Sequence, residues 1–158
     1  MAVYDIFLSF RGVDTRNNFT GHLCKALVDA GFRTFQDDTD LERGENIKEG
    51  LDRAIQQSRS SVIVFSKDYT SSKWCLDELV MILERRRNSD HVVFPIFYDP
   101  CHSPFHLKRK ADCLAEVPGY QNQSLEKFTS WREALKEVTT IAGNELQNEA
   151  NRYSSGCI

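Results

Sequence analysis

The sequence lacks the features of membrane-spanning proteins and of secreted, disulfide-rich ones. None of its apolar runs approaches the ~18 residues that a transmembrane helix needs. The first ten residues include Asp5 and only the short apolar run 6–8, which is too short for the core of a secretory leader. Its five cysteines are odd in number and no pair has Cys-x-x-Cys spacing, which favours free thiols in a reducing compartment. We therefore expect a cytoplasmic or nucleo-cytoplasmic protein.

The sequence also lacks an excess of basic residues. It has 20 Lys and Arg against 23 Asp and Glu, a formal net charge of −3. Proteins that bind nucleic acids or anionic membranes broadly tend to be basic, so this composition argues against both partners. A length of 158 residues with 41% hydrophobic and 27% charged residues is typical of one globular domain that needs no disulfides to stabilise its core.

Short apolar runs alternate with segments of helical periodicity along the chain. The pattern predicts strands at residues 4–10, 32–35, 61–66 and 92–98, and helices at 19–30, 47–55, 74–86 and 125–142. Strands that alternate with helices indicate crossover connections and a parallel sheet covered by helices on both faces. We predict the α/β class: a flavodoxin-like three-layer sandwich with about five parallel strands.

Two adjacent carboxylates follow the third predicted strand, in the segment Trp-Cys-Leu-Asp-Glu-Leu at 74–79. Sheets of this type bind ligands beyond the carboxyl ends of their strands. On a helix, Glu78 lies beside the apolar arc that faces the sheet and one turn after Trp74. Asp77 lies on the face expected in water, where it would favour the helix dipole. Glu78 is thus the candidate reactive carboxylate, although a half-buried Glu beside a Trp is more often structural.

Two other kinds of site receive little support from the residues. Cys101, His102, His106 and Cys113 do not match the spacing of a zinc knuckle, and Pro104 breaks the helix that would align the two imidazoles. We therefore predict no metal site. A phospho-acceptor receiver domain would need an aspartate at the end of the third strand, where this chain has residues 65–66, Phe-Ser.

Several motifs occur in the order found in one known family. They are Phe-Leu-Ser-Phe-Arg-Gly at 7–12, Gly-Phe-Arg-Thr-Phe at 31–35, Leu-Glu-Arg-Gly at 41–44, the segment 74–79, Pro-Ile-Phe-Tyr-Asp at 95–99 and Trp-Arg-Glu-Ala-Leu at 131–135. Together they resemble a plant Toll/interleukin-receptor (TIR) domain, as found at the N-terminus of TIR-type nucleotide-binding leucine-rich-repeat immune receptors. The resemblance extends over about residues 4–143.

The resemblance implies a set of functional residues. In the family, the glutamate of the Trp-Cys-Leu-x-Glu-Leu block carries NAD-cleaving activity, and that glutamate is Glu78 here. Positions that the family places around the nucleotide are Phe10, Arg11, Arg16 and Trp74. Loop positions that complete the site and pack against a neighbouring protomer are Leu41, Arg43, Gly44 and Ile47.

Each of these assignments has a structural alternative. Trp74 can be an aromatic side chain at the edge of the core, and Arg11 and Arg16 can be partners in surface ion pairs. The acid-rich loop at 37–45 can be a solvated connection. On the first helix, His22 matches a self-association position, but Gly21 replaces the serine that usually precedes it.

A single carboxylate is enough for the implied reaction. The bond between ribose and nicotinamide already holds a cationic pyridinium, which leaves as a neutral molecule and needs no general acid, unlike an ordinary glycoside. One carboxylate that stabilises the oxocarbenium-like transition state can then suffice. NAD+ or NADP+ is the expected substrate, and no cofactor is expected.

We therefore predict a plant innate-immunity signalling domain that self-associates and hydrolyses NAD+ or NADP+. The alternative is a catalytically weak or inactive TIR interaction module that acts by homotypic or heterotypic assembly. Its expected partners are other TIR domains. Residues 1–145 are predicted to form the TIR domain, and residues 146–158 a truncated final helix or the start of a linker.

Overall fold

The computed structural model describes residues 3–11, 19–36, 45–98, 104–117 and 119–150. In these residues the elements follow one another as β1 (Tyr4–Ser9), α1 (Phe19–Asp29), β2 (Thr34–Gln36), α2 (Glu45–Gln56), β3 (Ser58–Phe65), α3 (Lys73–Asn88), β4 (Val92–Phe97), α4 (Pro104–Asp112) and α5 (Leu125–Ala150). Short 3₁₀ turns occur at Tyr69–Ser71 and Leu114–Glu116. The predicted alternation of strands and helices is confirmed.

The strands form one parallel sheet in the order β2-β1-β3-β4. This is the flavodoxin-like arrangement that the sequence predicts, with four strands among the described residues. β1 and β3 lie in the centre, where helices cover both faces, and each contains a continuous apolar run, residues 6–8 in β1 and 62–65 in β3. Pro95 pairs with Ile63 from β4, which is an edge strand of the described sheet and can accommodate the missing N–H.

A hydrophobic core lies on each face of the sheet. On one face α1 covers a small core, whose buried residues are Ile6, Leu8, Phe10, Val62 and Val64. On the other face α2, α3 and α5 cover a larger core, which includes Phe7, Ile63, Phe65, Ile55, Leu76, Leu79, Ile82, Trp131, Leu135 and Val138. The layers place the start of α3 against the carboxyl end of β1.

Two helical features differ from the sequence prediction. The sequence pattern loosens after residue 99, yet α4 forms there and packs against α5 with Leu107 and Ala111 buried. The sequence signal for α4 is weak because apolar residues at helical spacing extend over only one turn and are surrounded by charged residues. Helix α5 also continues beyond the predicted residue 142, to Ala150.

His91 is a buried histidine at the amino end of β4, with both ring nitrogens in hydrogen bonds. Its Nδ1 lies 3.0 Å from the Ser58 carbonyl oxygen, and its Nε2 lies 2.7 Å from the Ser61 Oγ. A carbonyl only accepts, so Nδ1 carries the proton and Nε2 accepts from the serine. Burial lowers the pKa of His91 below its ordinary value of 6.5, and the nearby Arg85 charge acts in the same direction. The folded protein therefore holds this ring neutral.

This histidine predicts a loss of stability on mild acidification. The unfolded chain takes up a proton near pH 6.5, whereas the folded chain does so only at lower pH. The stabilisation is therefore complete above the unfolded pKa and is lost as the pH falls through the folded pKa. We expect the urea midpoint of the wild-type protein to decrease as the pH is lowered from about 7.5 to 5.5. His91→Gln should have a lower midpoint at pH 7.5, because it loses these hydrogen bonds, and its midpoint should decrease less over the same pH range. If the urea midpoints of the two proteins depend equally on pH, this assignment is contradicted.

Candidate functional site

The first turn of α3 lies where the carboxyl end of β1 meets the segment that leaves β3. The Ser72 side chain caps this helix by accepting a hydrogen bond from the Cys75 backbone N–H at 3.3 Å. Serine is a preferred N-cap residue, and the helix begins at Lys73, one residue before the predicted start. Cys75, Leu76 and Leu79 are fully buried and turn one face of the helix towards the sheet.

Glu78 lies on the same buried face of α3 and is only 1% exposed. Its Oε1 accepts a hydrogen bond from Ser9 Oγ at 3.2 Å. Ser9 Oγ also lies 2.9 Å from the Tyr69 hydroxyl, which donates to the Cys75 carbonyl at 3.1 Å. The placement of Glu78 beside the sheet-facing arc is confirmed, and its burial is deeper than expected. Burial of a carboxylate is costly without hydrogen bonds, and the Ser9 hydroxyl supplies one.

The prediction that Asp77 is a solvated acid is wrong. Its Oδ1 accepts from Trp131 Nε1 at 3.0 Å, its Oδ2 lies 3.6 Å from Lys127 Nζ, and its side chain is 16% exposed. The helical wheel identified the face of α3 that meets the sheet, but α5 covers the neighbouring face. Asp77 therefore connects two helices.

Three other candidate residues lie at the same corner of the fold. Trp74 is in the first turn of α3, one turn before Glu78, and is 37% exposed. Arg11 follows β1 and forms an ion pair with Asp68 at 3.7 Å. Phe10 is fully buried in the α1-side core, and its carbonyl oxygen lies 3.8 Å from Cys75 Sγ. A ligand at this corner can reach Trp74 from solvent, whereas the Phe10 ring faces the core.

Several predicted residues are outside the described part of the chain. These are Arg16, Leu41, Arg43 and Gly44, together with Cys101 and His102 of the rejected zinc constellation. Ile47 is described only through the backbone of α2, and His22 is exposed on α1.

The described residues offer few alternatives for a metal or a disulfide. No group of three or more His, Cys, Asp or Glu among them could hold a metal ion. Cys24, Cys75 and Cys113 are free thiols. In the same part of the chain, no helix combines the length and the apolar character that crossing a bilayer requires.

The sequence prediction assigned no role to Ser9 or Tyr69. Ser9 contacts the candidate carboxylate directly, and Tyr69 is connected to it through the Ser9 hydroxyl. A signal for Ser9 was present, because a serine between Leu8 and Phe10 in a buried strand needs a hydrogen-bond partner. Nothing in the local sequence identifies that partner, which is 69 positions away.

A pocket of about 410 Å³ lies at the opposite edge of the sheet. Ser58, Arg85, His91 and Val92 are among its lining residues, at the amino ends of β3 and β4 and the end of α3. Ligands of open α/β sheets bind at the carboxyl ends of the strands. The corner at Glu78 is therefore the candidate site.

Comparisons with known proteins agree with the fold and the motifs. The family model described as TIR domain matches residues 3–154. The chain is 49% identical over 158 residues to the disease resistance protein RPV1 of Vitis rotundifolia, covering 99% of this chain and 11% of that protein. It is 42% identical over 145 residues to the TMV resistance protein N of Nicotiana glutinosa, with 89% and 12% covered. The chain thus spans about a tenth of the length of these relatives.

Solved structures give the same result. The TIR domains in the structure of the activated Roq1 resistosome, which directly recognises the pathogen effector XopQ, match with a TM-score of 0.75 and 45% identity, covering 87% of this chain and 84% of that chain. The TIR domain of the Toll-related receptor TRR-2 from Hydra magnipapillata matches with a TM-score of 0.53 and 28% identity, covering 66% and 78%. The chain belongs to the TIR domain family, and these curated relatives are plant disease resistance proteins.

Proposed function

We propose that this TIR domain acts in plant immune signalling by hydrolysing NAD+ or NADP+ at the bond between nicotinamide and ribose. The observation that carries the proposal is the position of Glu78. A carboxylate buried at the carboxyl end of a central strand, with one oxygen held by Ser9, lies where α/β sheets take ligands. Membership of the TIR family supports the same residue.

The chemistry needs a negative charge beside the sugar. As the bond to nicotinamide breaks, positive charge develops on the ribose while nicotinamide leaves as a neutral molecule. A carboxylate away from bulk water stabilises this charge more strongly than one in water. Water then adds to the anomeric carbon and loses a proton, which leaves ADP-ribose or its 2′-phosphate. Glu78 supplies the negative charge in this proposal.

Two neighbouring side chains would bind the rest of the substrate. Trp74 offers an exposed indole surface one turn before Glu78, suited to packing against the nicotinamide or the ribose. Arg11 would contact the diphosphate, whose charge can replace that of Asp68 in the ion pair at 3.7 Å.

Self-association is part of the proposal. His22 is exposed on α1, and the same helix and the turn that follows it expose 54% of Val28 and 46% of Phe32. Large apolar side chains that remain exposed are common at protein interfaces. The similarity to TIR domains of a resistosome also supports assembly with other TIR domains.

The test is nicotinamide release measured over a series of protein concentrations. We expect specific activity to rise with concentration, because the site is completed by a neighbouring protomer. His22→Ala should lower the specific activity several-fold at intermediate protein concentration, and this activity should recover at higher protein concentration. His106→Ala, an exposed histidine on α4, is the matched control and should behave as wild type. Activity that is independent of concentration would contradict assembly, and no release at any concentration would contradict the enzymatic function.

The second candidate function is assembly without catalysis. The ion pair of Arg11 with Asp68 favours it, because it occupies a residue expected to bind phosphate. In that case sedimentation would show oligomers that grow with concentration, while wild type and Glu78→Gln would both release no nicotinamide.

A further inference from the structure

The pocket at the amino ends of β3 and β4 contains two arginines, Arg59 and Arg85. Its volume of about 410 Å³ is within the range of small-molecule sites. Among the ion pairs of the described residues, none includes either arginine. The pocket is therefore a candidate site for an anion.

Arg85 is held in place but is only partly hydrogen-bonded. Its Nη2 donates to the carbonyl oxygen of Gln56, the last residue of α2, at 3.2 Å. Its Nε is buried and has no hydrogen-bond partner in the part of the chain that the structure describes. A guanidinium group has five N–H donors, so Arg85 retains donors for a ligand in the pocket. Because the Gln56 contact already orients this side chain, less conformational entropy is lost when a ligand binds.

Interaction with a helix end does not account for both charges. The arginines at 85–87 are in the last turn of α3, where basic residues interact favourably with the helix dipole. Arg59 is on β3 and is exposed. Hydrogen bonds from Arg33 are the main causes that lower the pKa of Asp5, and the charge of Arg59 is the smallest cause. Asp5 is thus bound by Arg33, and Arg59 is available to a ligand.

We propose that this pocket binds the phosphate group of a small molecule, free or as a monoester, between Arg59 and Arg85. A phosphate dianion matches two guanidinium charges, whereas a carboxylate carries only one charge. Guanidinium groups also donate pairs of parallel hydrogen bonds to phosphate oxygens. The volume of the pocket leaves room for an organic group beside the polar side chains of Gln56 and Ser89. This site is separate from the proposed reaction at Glu78, which lies at the other edge of the sheet.

Two more lining residues of the pocket make the proposal testable. Asp90 is exposed, and its negative charge opposes the binding of an anion. Burial lowers the pKa of His91, and the charge of Arg85 acts in the same direction. An anion beside Arg85 offsets that charge, so bound phosphate should raise the pKa of His91. The imidazole ring of His91 therefore reports on binding.

The test is an NMR titration of the full chain with inorganic phosphate at pH 7.5 and constant ionic strength. The His91 ring signals and the backbone amides of Ser89 and Asp90 should shift with a Kd on the order of 1 mM. Arg59→Gln and Arg85→Gln should each weaken binding about tenfold, because each removes charge-assisted hydrogen bonds. Asp90→Asn should tighten binding several-fold, because it removes the opposing charge.

Control variants separate this pocket from general charge effects and from the corner at Glu78. Arg53→Gln removes an exposed arginine of α2 that is not among the lining residues of the pocket. Arg11→Gln removes the arginine expected to contact the NAD+ diphosphate. Both variants should bind phosphate at the pocket with the wild-type Kd. If Arg85→Gln fails to fold, Arg59→Gln and Asp90→Asn still carry the comparison, since both positions are exposed.

Titrations with adenosine 5′-monophosphate and adenosine distinguish the ligands. Tighter binding of the monophosphate than of inorganic phosphate identifies an ester as the preferred ligand, and equal binding identifies free phosphate. The inference is overturned if neither phosphate compound shifts these signals, or if adenosine binds as tightly as its monophosphate. It is also overturned if Arg53→Gln or Arg11→Gln weakens binding as much as Arg59→Gln does. None of these measurements depends on nicotinamide release.

Discussion

Glu78→Gln is expected to lower nicotinamide release at least ~100-fold without unfolding the domain. The amide has nearly the size of the carboxylic acid, and its oxygen still accepts the hydrogen bond from Ser9. It carries no charge to oppose the positive ribose, and loss of one electrostatic contact to a transition state costs about 10²–10³ in rate. Nicotinamide release at saturating substrate, with circular dichroism on the same sample, measures the effect.

The adjacent carboxylate provides a matched control. Asp77→Asn keeps an oxygen that accepts from Trp131 and loses only the charge that faces Lys127. Ion pairs of this kind contribute about 0–1 kcal/mol, so stability should change little and activity should stay near the wild-type rate. If Asp77→Asn loses as much activity as Glu78→Gln, the assignment of the reaction to Glu78 is wrong.

Trp131→Ala is expected to cause the largest loss of stability, about 3–5 kcal/mol. The Trp131 side chain is fully buried, its ring lies 5.1 Å from that of Tyr120 and 5.9 Å from that of Phe128, and its Nε1 donates to Asp77. The variant loses buried aromatic area, leaves a cavity between α3 and α5, and leaves Asp77 without this donor. Urea unfolding followed by circular dichroism gives the change in free energy.

A graded series separates these causes. Trp131→Phe keeps an aromatic ring but loses the donor and part of the volume, so it should lose less than Trp131→Ala. Glu133→Ala changes an exposed position of the same helix and should alter stability by no more than about 0.5 kcal/mol. A loss from Trp131→Ala as small as that from Glu133→Ala would show that α5 does not depend on this contact.

The accuracy of the sequence predictions depended on the separation of the residues that interact. The run 62–65 identifies β3 by itself, and α1 ends before Gly31, whose φ of 95° few other residues adopt. Glu78 was found because the apolar arc of one helix already shows which face meets the sheet. Asp77 was misjudged because its partner Trp131 is 54 positions away on α5.

The hydroxyl contacts of Glu78 were missed for the same reason. Ser9 and Tyr69 are 60 positions apart, and nothing in either local segment specifies that they meet. Local periodicity defines the face of an element, whereas the partner on that face depends on how the chain packs.

Asp77 and Glu78 are consecutive residues that accept hydrogen bonds from two different elements of the fold. Asp77 holds α3 to α5 through Trp131, and Glu78 holds it to β1 through Ser9. A rotation of α3 about its axis would lengthen at least one of these hydrogen bonds. The orientation of the carboxylate is therefore set when the domain folds, and little conformational entropy remains to be lost when a ligand binds.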